Sequence, residues 1–279
     1  MVGDILRRPW ERALAYVFLV VTSLIMVFPF IFMFASSLKS SAEVVQVPPK
    51  LFPAVLQLGN YVEVLGIVPL GTQLLNTVIV TVFVVVGWVL TSVLAGYAFA
   101  RLTFPGRDTL FSIYLGTLMV PFAVLIVPMY RMMIWLSWVD TLTALIVPWI
   151  FTAYGTFLLR QFFISIPKDL EEAALMDGAG RWSILFRIFM PLARPAMATL
   201  ATFGFLYAWN SFLWPLIIIS SPEKKVITQG VVDLQSLYAA RVDLIMAGST
   251  LAVLPTLLIF LLAQRYFIEG VATAGLAGR

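Results

Sequence analysis

The sequence predicts an all-α integral membrane protein with six membrane-spanning helices and a short cytoplasmic helix between the fourth and fifth spans. The first observation is composition: 61% of the 279 residues are apolar and 11% are charged, against about 45–50% and about 25% in soluble domains. The mean hydropathy of +0.99 agrees. The second is the recurrence of long uncharged runs, and the third is a helix-capping pattern within one polar connector.

The spans follow from the uncharged runs, because a membrane-crossing helix needs about 20 mostly apolar residues. Six runs meet this requirement, at residues 13–38, 72–100, 109–130, 141–159, 196–220 and 244–264. The connectors are too short to hold a soluble domain. We therefore expect one transmembrane domain over residues 1–279, with a cytoplasmic segment at 165–195.

The first run has an alternative interpretation. Arg7, Arg8 and Arg12 precede it, as basic residues precede the apolar part of a signal peptide, and cleavage near Ala35 and Ser36 fits that reading. The apolar part of a signal peptide is about 7–15 residues long. This run is longer, so we expect it to remain as the first span.

The orientation follows from Lys and Arg, which are enriched in cytoplasmic loops. With the N-terminus inside, the cytoplasmic segments hold Arg7, Arg8, Arg12, Arg101, Arg107, Arg160, Lys168, Arg181, Arg187, Arg194, Arg265 and Arg279. The outer segments hold Lys39, Lys50, Arg131, Lys224, Lys225 and Arg241. We therefore expect both termini in the cytoplasm.

The composition excludes most enzyme chemistry. The chain has no Cys and no His, which removes disulfides, Cys/His metal sites and His-based catalytic triads. We expect no catalytic residue, no metal and no cofactor. The basic residues form no stripe or tail, so we expect no nucleic-acid partner.

The sequence also lacks the residues that would couple transport to an ion gradient or to ATP. Every Asp and Glu lies in a connector or at the edge of a span, with Asp243 nearest to one, so an ion-coupled carboxylate relay is not expected. The chain has no G-x-x-x-x-G-K-[ST] loop for a nucleotide. Uphill transport would need energy from another subunit.

The spans contain uncharged polar residues that have two interpretations. They line a pathway for a neutral hydroxylated solute, or they form hydrogen bonds between helices. The residues are Asn76, Thr77, Thr81, Thr91, Ser92, Asn210 and Ser211.

A short helix is predicted over Lys168 to Asp177. Pro167 suits a first helical position, acidic residues follow it, and Gly178 or Gly180 ends the helix in a left-handed conformation. Such a short helix is marginal in water unless it packs on something. A partner protein and a plain amphipathic surface helix are both compatible with this pattern.

This segment resembles the EAA signature of ABC importer permeases. Glu172-Ala173-Ala174 is followed after three residues by Gly178 and after nine more by Ile188-x-Met190-Pro191. Met190 replaces the usual Leu, a volume-conserving change. Other stretches resemble the carbohydrate-uptake branch, and within it the smaller six-span permease of the maltose-transporter type: Ser36-Ser37-Leu38-Lys39, Asn60-Tyr61, residues 96–101, residues 104–107, residues 160–163, Trp209-Asn210 and Gln264-Arg265 with Gly270. The tail at residues 275–279 departs from the Lys-Gly ending common in that branch.

The resemblance implies the type I ABC importer permease fold in a bacterial or archaeal cytoplasmic membrane, and a permease that is not itself an enzyme. The implied partners are two cytoplasmic P-loop ATPase subunits, a second homologous permease, an extracytoplasmic solute-binding protein and a sugar-like solute. The implied sites are a coupling helix that contacts the ATPase, a translocation pathway and a loop facing the binding protein. Their residues are Glu172, Ala173, Ala174, Asp177 and Gly178, then Asn76, Trp209 and Asn210, then Lys224 and Lys225.

Three other functions remain open at this point. An ATP-independent channel or facilitator would also lack intramembrane carboxylates. An ABC permease for a solute such as a glycerol phosphodiester would carry the same signature. A membrane enzyme is disfavoured because the spans offer no paired acids and the chain has no His or Cys.

Overall fold

The computed structural model describes residues 9–276, with side chains described through residue 262. Arg7, Arg8 and Arg279 lie outside the described residues, as does the end of the divergent tail. Gln264, Arg265 and Gly270 lie beyond the described side chains. Within residues 9–276 every regular element is helical, which confirms the all-α class.

The described chain contains α-helices α1 to α15 in chain order. They are α1 (Pro9–Ser37), α2 (Ser41–Val44), α3 (Gly59–Ile67), α4 (Leu70–Arg101), α5 (Arg107–Gly116), α6 (Phe122–Trp135), α7 (Leu142–Ile146), α8 (Ala153–Ser165), α9 (Lys168–Met176), α10 (Arg181–Ile184), α11 (Met190–Leu192), α12 (Arg194–Trp209), α13 (Leu213–Ile218), α14 (Ile227–Leu237) and α15 (Val242–Leu276). Short 3₁₀ turns occupy Thr117–Met119, Val147–Trp149 and Pro222–Lys224, and a π-helical turn occupies Leu185–Phe189.

Among the described residues, four segments are long and apolar enough to cross a membrane. They are Pro9–Ser37, Leu70–Arg101, Leu142–Ser165 and Val242–Leu262. Two further pairs of helices qualify only when each bent pair is taken as one span: Arg107–Met119 with Phe122–Trp135, bent by 100°, and Arg181–Leu192 with Arg194–Trp209, bent by 76°. The structure therefore has four to six apolar spans.

The bends are the main difference from the predicted spans. The run at 109–130 is not one straight helix, because Val120 is extended before Pro121, as residues preceding proline usually are. The run at 196–220 also differs, because α12 ends at Trp209 and a separate short helix follows at Leu213. The predicted outer connector at 221–243 contains the helix α14.

The described chain forms two compact units. The first combines residues 9–68 with 231–253, and the second combines 69–230 with 254–276. In the first unit, the Asn60 amide donates to the carbonyls of Ser37 at 2.9 Å and Lys39 at 2.8 Å. Arg241 pairs with Glu63 at 2.7 Å and with the buried Asp243 at 3.0 Å. These polar contacts hold the connector after α1 within its own unit.

The second unit is built around α4, which packs on α8 and α12. Glycine permits close approach of these helices, since a β-carbon on Gly155 would lie 2.4 Å from the Ser92 hydroxyl. Small residues of this kind let helices approach closely in membranes. The buried core of the unit lies between these helices and includes Val84, Leu159 and Leu200.

In the second unit, side chains of α4 donate hydrogen bonds to backbone carbonyls at a break in the segment Leu142–Ser165. The 3₁₀ turn around Pro148 interrupts the segment Leu142–Ser165. The Trp88 indole donates to the carbonyl of Trp149, and the Thr91 hydroxyl donates to the carbonyl of Ile150 at 2.9 Å. Non-helical backbone at membrane depth requires such partners. For Thr91, the structure therefore shows hydrogen bonding between elements.

The close approach of α4 to the turn at residue 150 gives a test of packing. A β-carbon on Gly87 would lie 2.6 Å from the Ile150 β-carbon and 3.1 Å from its α-carbon, so the backbone itself must shift. We expect Gly87→Ala to lower the free energy of unfolding by about 1–3 kcal/mol, as overpacking generally does. The measurement is denaturant or thermal unfolding of the purified protein in detergent.

Gly116→Ala is the matched control, because Gly116 is also helical and has no neighbour within 4 Å of the added β-carbon. Equal stability of the two variants would contradict the packing argument.

Candidate functional site

Helix α9 has both ends defined by the sequence signals that predict it. Pro167 precedes its first residue, and Asp177 follows its last. Gly178 has φ of +78° and is therefore the left-handed terminator, whereas Gly180 has φ of −74° and precedes α10. The amide of Gly178 donates to the Leu175 carbonyl and that of Ala179 to the Ala174 carbonyl. This is a Schellman motif, which satisfies carbonyls at a helix end.

The outer surface of α9 carries most of the residues of the predicted coupling site. Glu172, Ala173, Asp177 and Gly178 are all exposed, and Ala174 is half-buried against the core of the second unit. Met176, on the same surface, is 88% exposed. An exposed methionine beside small residues gives a surface that another protein can approach closely and adapt to.

The inner surface of α9 carries a charged residue that sequence reasoning missed. Glu171 is buried, and its carboxylate lies between two arginines. Its Oε2 is 3.7 Å from Nη1 of Arg101, and its Oε1 accepts a hydrogen bond from Arg181. Two adjacent glutamates thus have opposite environments. The Glu-Ala-Ala spacing identifies Glu172, but periodicity in so short a helix does not show which of the two faces inward.

Arg101, the last residue of α4, is predicted as a topology signal and as part of the stretch 96–101 that resembles the carbohydrate-uptake branch. The structure instead buries its side chain, which is 5% exposed. Its guanidinium donates to the carbonyl of Phe163 at 2.6 Å and to that of Ile166. These carbonyls belong to the end of α8 and the residue that follows it, and the Phe163 carbonyl also accepts from the Ile166 amide at 3.3 Å. The carbon at the centre of the guanidinium also lies 4.9 Å from the centroid of the Phe189 ring.

The second half of the segment 165–195 divides between core and surface. Leu185 and Phe189 are buried, and Met190 is half-buried. Trp182 and Phe186 are exposed and stack on each other at 5.9 Å. The π-helical turn therefore places Leu185 and Phe189 in the core and leaves Trp182 and Phe186 at the surface.

The three residues predicted for the pathway have different surroundings. The Asn76 amide donates to the carbonyls of Glu223 at 2.8 Å and Lys225 at 3.0 Å. Trp209 is buried and stacks on Phe205. Asn210 is exposed at the end of α12, where its amide donates to the Leu206 carbonyl. Of the three, only Asn210 presents its side chain at the surface.

The loop that carries Lys224 and Lys225 is held by Asp140, a second residue that sequence reasoning missed. The Asp140 carboxylate accepts from the backbone amides of Ser220 and Ser221 and from the Ser221 hydroxyl. The ammonium of Lys224 lies 3.1 Å from the same carboxylate. The Ser221 hydrogen bonds, with those of Ser220 and Lys224, hold the pKa of Asp140 well below its usual range. Asp140 has φ of +58°, but no sequence motif marks this position.

The same loop is joined to the beginning of α4. The Thr77 hydroxyl accepts from the amide of Ile227 at 2.8 Å, in addition to the two hydrogen bonds from Asn76. Lys224 is thus engaged with Asp140, and the Lys225 carbonyl is engaged with Asn76. Residues 220–227, which we call the outer loop, are fixed from two sides.

Comparison with known proteins identifies the family and relatives of the whole chain. The sequence model of the binding-protein-dependent transport system inner membrane component matches residues 89–272. An arabinooligosaccharides transport system permease protein from Halalkalibacterium halodurans is 34% identical over 272 residues, which is 96% of each chain. An sn-glycerol-3-phosphate transport system permease protein from Rhizobium meliloti is 33% identical, over 95% of this chain and 97% of that one.

A solved structure shows the same fold. One chain of a bacterial ABC transporter involved in the import of the acidic polysaccharide alginate superposes with a TM-score of 0.84 and is 26% identical. The match covers 94% of this chain and 99% of that one. The architecture described above is therefore that of an ABC importer permease.

The contacts of Asp140 predict that the outer loop loses order when this carboxylate is removed. The chain has no Cys, so Val226→Cys places one thiol at a buried position of the loop. We expect slow labelling by a membrane-impermeant maleimide in this variant. Addition of Asp140→Ala should accelerate labelling about tenfold or more, since each lost hydrogen bond to a charged group is worth about 1.5–3 kcal/mol.

Glu223→Gln serves as the control, because Glu223 is an exposed carboxylate in the same loop. Equal acceleration by this change would show that Asp140 has no special role in holding the loop.

Proposed function

The chain belongs to the family of binding-protein-dependent transport system inner membrane components, and from this premise we propose how it works as the permease subunit of an ABC importer. The resemblance to carbohydrate-uptake permeases is confirmed by relatives that cover nearly the whole chain. The chain is a multi-pass inner membrane protein and a transport permease. In our proposal, ATP hydrolysis takes place in separate cytoplasmic subunits.

The observation that carries the proposal is the two-sided burial of α9. Its inner residue Glu171 is buried against Arg101, while Glu172, Ala173, Asp177 and Gly178 face away from the core. We propose that this outer surface is the coupling helix, which binds a cytoplasmic ATPase subunit. An exposed carboxylate forms charge-assisted hydrogen bonds with an arginine of a partner, and the small residues beside it permit close contact.

We propose six crossings in one permease domain, with each bent pair counted as one crossing. The contacts within each unit support this topology. Arg101 meets Glu171, Asp140 meets Lys224, and Glu63 meets Arg241. Each pair joins two connectors that the six-span assignment places on the same side of the membrane. The excess of Lys and Arg in the inner connectors supports cytoplasmic termini.

The proposed solute is a neutral sugar or oligosaccharide. The relatives named above include permeases of arabinooligosaccharide and sn-glycerol-3-phosphate transport systems. The predicted span interiors hold uncharged polar residues and no basic residue. A phosphorylated solute would need cationic partners within the pathway, where isolated charges are costly. Uncharged amides and hydroxyls suit a sugar better.

The proposed assembly contains two ATPase subunits, a second permease and an extracytoplasmic binding protein, in a bacterial or archaeal membrane. Gentle solubilisation from the native membrane, affinity purification and mass spectrometry test it directly. We expect a P-loop ATPase and a second permease to co-purify. Recovery of this chain alone, under conditions that preserve a known importer, would favour an ATP-independent facilitator.

The proposed coupling surface predicts the effect of a charge reversal. Glu172→Lys should abolish transport and release the ATPase subunits, because a lost charged hydrogen bond costs about 1.5–3 kcal/mol, equivalent to about a tenfold or greater loss of affinity. Gly178→Pro should have the same effect, since proline cannot adopt the observed φ of +78°. Solute uptake and co-purification are the measurements.

Two matched controls accompany these variants. Asp169→Lys reverses the charge of an exposed residue in the first turn of the same helix. Gly178→Asn introduces a residue that still tolerates the left-handed conformation. Both should retain transport. Full transport by Glu172→Lys would disprove ATPase docking at this surface.

The pathway residues remain Asn76, Trp209 and Asn210 in this proposal, and the exposed Asn210 is the best to test. Asn210→Leu should reduce the uptake rate or change the preference among sugars, because the amide supplies hydrogen-bonding groups to hydroxyls. Asn210→Gln should retain more activity. Unaltered uptake and selectivity in Asn210→Leu would assign Asn210 to a structural role.

A further inference from the structure

A buried guanidinium joins the cytoplasmic ends of several helices of the second unit. Arg101 ends α4, donates to the carbonyls of Phe163 and Ile166 at the end of α8, and lies over the ring of Phe189 in the π-helical turn. Its side chain is only 5% exposed. A buried charge needs a partner of opposite sign, because taking it out of water is costly.

The partner is the inner residue of the proposed coupling helix. The Glu171 side chain is 10% exposed, and its Oε2 lies 3.7 Å from Nη1 of Arg101. Its other oxygen accepts from Arg181, whose side chain is half exposed. The contact with Arg101 is therefore shielded from solvent, while the contact with Arg181 is open to screening by water and salt.

Helix α9 needs tertiary contacts if it is to move together with the membrane helices. It has nine residues, and a helix of that length is marginal without tertiary packing. Its outer surface is exposed, so the described contacts of its inner surface connect it to the rest of the second unit. A movement imposed on Glu172 from outside is transmitted to α4 and α8 only if the inner surface moves with them.

We propose that Glu171 and Arg101 form a positioning pair that transmits the movement of α9 to α4 and α8 during transport. This inference rests on the proposed function, since it assumes that an ATPase binds the outer surface of α9. In this role Glu171 acts through Arg101 and does not contact the ATPase. Glu172 docks the ATPase, and Glu171 links the docked helix to the membrane helices.

The test uses the complete importer, with its ATPase subunits and partner permease, reconstituted in lipid nanodiscs. ATP hydrolysis is measured with and without the ligand-loaded binding protein, and the retained ATPase is quantified. In Glu171→Gln, which keeps the size of the side chain, we expect full retention of the ATPase and unchanged basal hydrolysis. Stimulation by the binding protein should fall at least about fivefold, the lower end of typical coupling between distant sites.

Two further variants separate transmission from folding. Glu171→Asp keeps the charge and should retain more stimulation than Glu171→Gln. Arg181→Gln removes the exposed partner only and should be stimulated like the unmodified protein. If Glu171→Gln fails to assemble in the membrane, Arg101→Lys provides the same test, because it keeps a cation near Glu171 but lacks the planar fork that reaches two carbonyls.

The outcomes distinguish this inference from the proposed function. Normal stimulation of Glu171→Gln, or release of the ATPase from it as from Glu172→Lys, would overturn the positioning role. Equal loss in Arg181→Gln would also overturn it, since Arg101 would then have no special part. Failure of the unmodified chain to bind an ATPase would instead refute the proposed function.

Discussion

The contacts of α9 with the rest of its unit depend on one buried cation, Arg101. Without Arg101, the carbonyls of Phe163 and Ile166 would lose the guanidinium as a donor, and Glu171 would be a buried carboxylate facing only the half-exposed Arg181. Breaking a buried pair on one side leaves an uncompensated charge. The position of α9, and hence the direction in which Glu172 points, therefore follows from the end of α4. The contacts of the inner surface of α9 therefore determine which residues its outer surface presents.

The spans show how a membrane protein accommodates irregular backbone. Proline interrupts helices at Pro121 and Pro148, and hydrocarbon supplies no hydrogen bonds to the freed carbonyls. At Pro148 the tryptophan and threonine side chains of α4 provide them, and the glycine at 87 leaves room for the turn to approach. Irregular segments and the straight helix α4 are thus parts of one packed arrangement. The break at Pro148 therefore depends on residues of the interrupted segment and on residues of α4.

The sequence predicted the elements better than the directions of individual side chains. Hydrophobic run length located four long spans and the two bent helix pairs, and Pro167 and Gly178 bounded α9 to within one residue, because these signals are local. The inward position of Glu171, the hydrogen bonds of Asn76 to the outer loop and the burial of Trp209 all arise from contacts with residues distant in sequence. Asp140 carries no motif, since its role depends on a loop about 80 residues later. Spacing alone carries no information about such pairings.

The fixed outer loop has a consequence for the kinetics of association. Asp140, Asn76 and Thr77 already restrict residues 220–227, so a protein that binds there does not have to order the loop. Ordering of interface segments is one of the main entropic costs of binding. Association with a preformed loop should therefore approach a rigid-body encounter, in which charge steering governs the on-rate and the quality of the fit governs the residence time. For a transporter that releases its solute-binding protein in every cycle, the side chains of the loop, and not ordering of the loop backbone, would then determine that residence time.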